Sequence, residues 1–84
     1  MKRYLYRKDR VLQTIKVLFG EREDFNENDY MKYTALEVVV QDDGRFSVWG
    51  DLGDEDADVL RDTKPDHRGL LPQIAALAND VIEE

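Results

Sequence analysis

The chain has no cysteine, one histidine, one tryptophan and two prolines among its 84 residues, and a single serine, Ser47. Without cysteine there is no disulfide, no thiolate nucleophile and no zinc site built on sulfur. One histidine, His67, leaves no imidazole cluster for a metal. A nucleophile elbow, a glycine-rich phosphate loop and a metal-binding helix motif are also missing. Ser47, His67 and an aspartate form a triad only if space brings them together, and sequence supplies no such geometry. The chain is therefore read as a non-enzyme with no cofactor and no metal. No run approaches the ~20 apolar residues of a membrane helix, and Met1 to Arg10 lacks the apolar stretch of a secretory signal. A cytoplasmic location is expected, with no membrane partner.

Positive charge is the other shortage. Twelve Lys and Arg stand against 19 Asp and Glu, giving a net charge of -7 and a pI near 4.6. Direct nucleic-acid binding is disfavoured, because neutralisation of phosphates by Lys and Arg supplies most of that affinity. Electrostatic partners should be basic. The charge is also uneven: Lys2, Arg3, Arg7, Lys8 and Arg10 against Asp9 leave the first ten residues at +4 and the remainder at -11. The basic stretch reads as a strand with solvated cations, Tyr4 and Tyr6 on one side and Leu5 on the other.

What the chain does contain is a hairpin from Tyr33 to Leu52, closed at Asp42-Asp43-Gly44. A three-residue loop with Gly44 in the left-handed conformation pairs Val40 with Phe46 and Val38 with Val48. One face then carries Leu36, Val38, Val40, Phe46, Val48 and Leu52, and the other is mostly polar with Val39 and Trp49 in it. A one-residue slip would exchange the faces. Arg10 to Phe19 is ambiguous. Val11, Leu12, Ile15, Leu18 and Phe19 make a helical stripe with Asp9 as N-cap, but Val11, Thr14, Ile15 and Val17 are β-branched, and a lone hairpin needs further strands. A strand is favoured here. Ile74, Ala75, Leu77, Ala78, Val81 and Ile82 share a stripe after Pro72, so a C-terminal helix is expected over Pro72 to Glu83. The fold class is a small two-layer α+β domain over residues 1–84, an antiparallel sheet of three or four strands packed by that helix. So small a chain has a small core, which a homodimer would enlarge.

Two acidic stretches remain. Glu21, Glu23, Asp24 and Glu27 lie in a polar loop where Asp24, Asn26 and Asn28 repeat the opening of an EF-hand, but Asp29 replaces the turn glycine and Ala35 the final glutamate. Asp51, Asp54, Glu55, Asp56, Asp58 and Asp62 make the second stretch, with Val59 and Pro65 at the same two EF-hand positions. It reads as a solvated loop or a short helix capped by Asp54. Trp49, opposite Glu37 and near Val39, is the apolar surface candidate, since tryptophan is enriched in binding hot spots. The expected function is a non-enzymatic module that binds a protein with a basic surface through these carboxylates, Trp49, Val39 and Glu37. Its sharper form is an inhibitor that fills the groove of a nucleic-acid-binding protein with carboxylates in place of phosphates, like antirestriction and anti-CRISPR products, an analogy of size and charge. The alternatives are a self-assembling module, basic arm against acidic segment, and a divalent-metal binder using Asp54, Asp56 and Asp58.

Overall fold

A computed structural model describes residues 1–53 and 56–84. Its strands and helices follow one another as β1 (Lys2–Arg7), α1 (Asp9–Phe19), β2 (Ala35–Val40), β3 (Phe46–Asp51), β4 (Ala57–Lys64), α2 (Leu70–Ala75) and β5 (Asp80–Glu83). Among the described residues this makes a small α+β unit, with two helices on an antiparallel sheet of five strands in the order β4-β3-β2-β1-β5.

The hairpin has the expected register. Val40 faces Phe46 and Val38 faces Val48, while Gly44 sits at φ 87° with its N–H on the Gln41 carbonyl at 3.0 Å. Leu36, Val38, Phe46 and Val48 are buried beneath the helices together with Tyr6 of β1. Lys8 joins β1 to α1 as a single residue of positive φ, 57°, so α1 folds straight back over the sheet. Its stripe of Val11, Ile15, Leu18 and Phe19 is buried there. This corrects the expectation of a strand over 10–19. The β-branched residues there recur at helical spacing, and burial of that stripe outweighs the modest propensity cost of each. Asp9 is the first helical residue rather than the cap.

The acidic segment differs from expectation too, since its second half, from Ala57 on, is neither loop nor helix but the edge strand β4. Two register shifts against β3, around Val48, accommodate extra residues. Arg61, Asp62 and Lys64 are charges of the kind that edge strands carry. The C-terminal helix starts earlier and ends sooner than Pro72 to Glu83. The Asp66 carboxylate accepts the Leu70 and Leu71 N–H groups at 2.7 and 3.0 Å, so the helix begins at Leu70. Pro72 is tolerated in the first turn, where its N–H would have no intrahelical partner. Asn79 then ties the chain to β1. Its N–H donates to the Leu5 carbonyl at 2.9 Å and its side-chain oxygen accepts the Arg7 N–H at 2.7 Å. Val81 and Ile82, which fit a helical stripe equally well, pair with Tyr4 and Arg3 as part of β5.

Two phenols fasten the helical side of the sheet. The Tyr6 hydroxyl donates to the Ile74 carbonyl at 2.8 Å, joining β1 to α2. Tyr33 donates to Asp58 at 2.8 Å, with its ring over Gly50. Burial raises both phenols. For Tyr33 the Asp58 bond adds to the effect, and the value reaches about 12 against an ordinary 10.0. A raised folded value means stability that is complete below pH 10 and is lost as pH climbs through the folded value. Tyr33 alone then forfeits on the order of 2 kcal/mol. Thermal melts should hold steady up to about pH 9 and fall steeply from about pH 10 to 12. A melting temperature flat across that interval would contradict this account.

Candidate functional site

Both helices lie on the face that holds Tyr6, Leu36, Val38, Phe46 and Val48. Alternation along each strand sends Leu5, Ala35, Glu37, Val39, Ser47, Trp49, Asp51 and Ile82 to the opposite face. No described element packs on that side. Trp49 stands near its middle, 37% exposed, with Glu37 directly across on β2 and Val59 directly across on β4. The indole N–H donates to the Ser47 hydroxyl at 3.1 Å, which fixes the ring along its own strand. Val59 itself is 51% exposed. The centre of this face is thus an apolar step from Val59 to Trp49, continued by Leu5 and Val39 beyond Glu37.

Charges surround the step in pairs. Arg3 donates to Glu37 on the neighbouring strand and, at 3.4 Å, to Glu84. Arg7 holds Asp80 at 2.6 Å. Glu37 keeps the Arg3 guanidinium charged beyond its ordinary range through their hydrogen bond. On the other side of the sheet, beside Tyr4 and Val40, the Glu83 carboxylate does the same for Lys2, 3.1 Å away. The N-terminal ammonium, 2.6 Å from Asp42, holds that carboxyl below the ordinary range. Cations of the basic stretch therefore meet carboxylates of β2, β5 and the hairpin loop.

Two hollows flank Trp49. One, of about 270 Å³, is lined by Leu5, Arg7, Ala35, Glu37, Asp51 and Ala57 along with the indole. The other, of about 380 Å³, lies between Arg3, Val39, Ser47 and Thr63 on the far side of the ring.

Of the residues proposed from sequence, Trp49, Glu37, Val39 and Asp51 are brought onto this one face. Asp51 uses one oxygen on the Gly53 N–H at 2.8 Å. Asp58 points to the helical side, taken by Tyr33 and, at 3.8 Å, by Lys32. Asp62 is exposed and accepts the Thr63 N–H, and Asp56 is exposed as well. Asp54 and Glu55 lie outside the described residues, as therefore does part of the Asp54, Asp56 and Asp58 metal reading. The second cluster sits in the segment after α1. Glu21 pairs with Arg68, Asp24 with Arg22 at 3.4 Å and Glu27 with Lys16 at 3.3 Å, while Glu23 is exposed. Asn26 spends its side-chain oxygen on the Asn28 N–H at 3.1 Å, starting a single 3₁₀ turn, Glu27–Tyr30. Among the described residues no group of three or more His, Asp or Glu is arranged to hold a metal ion. Nor is any helix there long and apolar enough to cross a membrane.

Sequence reasoning placed Ala35 on the Trp49 face and Leu5 on the side of β1 away from the tyrosines, but named neither of them, nor Ala57, as a site residue. The signal for Leu5 was present in the alternation of β1. Ala35 and Ala57 matter because they are small, and a hollow made by a missing side chain has no motif. Compared with family models, with curated proteins and with solved structures, the chain matches none.

Proposed function

We propose that the chain is a protein-binding module that seats a partner of basic surface on the open face of its sheet, with Trp49 as the apolar anchor. The observation that carries this reading is the half-exposed indole, held by Ser47 and flanked by two hollows on a face that neither helix covers. Tryptophan in such a setting contributes large apolar area at low entropic cost, and an apolar centre with a polar rim is the anatomy of an interface. The net charge of -7 favours a cationic partner and speeds its association.

The sharper form, an inhibitor of a nucleic-acid-binding protein, keeps support from that overall charge and from exposed carboxylates such as Asp62. It draws less on the Glu21, Asp24 and Glu27 group, whose cationic neighbours answer those charges. Immobilised protein and Trp49→Ala should be exposed side by side to lysate of the source organism and washed at low and high salt. A partner retained at low salt, released at high salt and lost in Trp49→Ala is the expected outcome. The same catch on both columns would remove the open face from consideration.

A further inference from the structure

The hollow beside Trp49 has the makings of a socket for one kind of side chain. We infer that it receives an arginine of the partner protein, an inference that rests on the protein-binding reading above. Ala35 and Ala57 line it together with Tyr6 and Leu36, and their methyl side chains leave space that a larger residue at either position would take up. The Trp49 indole and Leu5 line it as well. A planar guanidinium stacks on an indole, and its alkyl stem suits an aliphatic wall.

The rim supplies the charge. Glu37 stands on β2 with Ala35 and Asp51 on β3 with Trp49, and among the described residues each is bonded through one oxygen. Glu37 uses Oε1 for Arg3 and Asp51 uses Oδ1 for the Gly53 N–H. Oε2 and Oδ2 stay outside those bonds and can accept from an incoming guanidinium. Arg7, the one cation of the lining among the described residues, is tied to Asp80 on β5. An anionic guest would face both rim carboxylates, and an aliphatic guest would leave them without a role. Arginine answers both features at once.

Trp49 is the sole tryptophan, so its emission reports the socket directly. The probe is N-acetyl-arginine amide, titrated against its neutral isostere, the citrulline amide. The expected result is a saturable change in emission with arginine, at least about fivefold weaker with citrulline, and abolished by Ala35→Leu. That substitution points into the hollow and not into the core, and circular dichroism checks its fold. A second variant, Glu37→Gln with Asp51→Asn, leaves the space and the acceptor for Gly53 but removes the charge, and should weaken arginine by a similar factor. Equal responses to both amides, or arginine binding unchanged in either variant, would overturn the inference. Lysate capture separates this idea from the wider one. A partner lost in Trp49→Ala but kept at full strength by Ala35→Leu sinks the socket and leaves the face. Arginine binding without any Trp49-dependent capture leaves the socket and sinks the wider reading.

Discussion

Phe46→Ala should cost the chain a large share of its stability. The Phe46 side chain is 0% exposed, sits at the start of β3 opposite Val40, and has the Arg61 guanidinium stacked 4.6 Å from its ring centre on the side of β4. Truncating such a ring costs about 3–5 kcal/mol, the lost transfer energy plus the cavity left behind. A domain of this length has roughly 4–12 kcal/mol in total, so the loss removes about a quarter of the stability at best and all of it at worst. The relaxation open to a larger protein is limited here, because the core is one layer between a sheet and two short helices. Val39→Ala on the open face, one residue from Val40, should cost under about 1 kcal/mol. Urea denaturation of the two variants measures the contrast. Similar midpoints for both would mean that the assignment of faces is wrong.

Gly50→Ala is expected to be nearly as damaging, for the opposite reason. A Cβ at position 50 would lie 2.6 Å from Cδ1 and 2.7 Å from Cε1 of Tyr33, well inside van der Waals contact. The Tyr33 ring covers Gly50 and reaches across to Asp58 on β4, so the methyl group displaces the ring and breaks that 2.8 Å bond. Overpacking and the lost hydrogen bond together come to about 2–3 kcal/mol, a fall in melting temperature of roughly 10 °C or more for a domain this small. The mechanism has its own control. With Tyr33→Ala in place there is no ring to displace, and adding Gly50→Ala should then cost little. Additive losses in that cycle would show that something other than the ring contact penalises the methyl group.

How much of this was legible in the chain follows from what competes at each site. The hairpin was readable because alternation, Gly44 and the two-faced distribution of Leu36, Val38, Phe46 and Val48 all agree on one register. At α1 two patterns coincide: residues 11, 14, 15 and 18 are β-branched or apolar and also stand at helical spacing, and only packing over the sheet decides. For β5 the reverse holds, since Val81 and Ile82 complete a helical stripe that the chain abandons once Asn79 bonds to β1. β4 was hidden by composition, its acidic residues suggesting solvent where backbone pairing with β3 governs. The face around Trp49 was visible from the hairpin alone. The hollow beside the indole was not, because it depends on Leu5 of β1, distant in sequence, and on Ala57 of the β4 strand that the acidic composition concealed.

The placement of β1 has a consequence for how the molecule forms. Although first in sequence, it lies between β2 and β5, and its last neighbour is the final strand, with Lys2 opposite Glu83. Helices and the hairpin can form from local contacts in microseconds, but this pairing must close a loop of nearly the whole chain. On a ribosome, β1 waits with one row of backbone donors and acceptors unanswered until β5 emerges. During that interval a second unfinished chain offers the same kind of edge. The slowest step in assembling the sheet is thus also the one during which it is most exposed to pairing with the wrong strand.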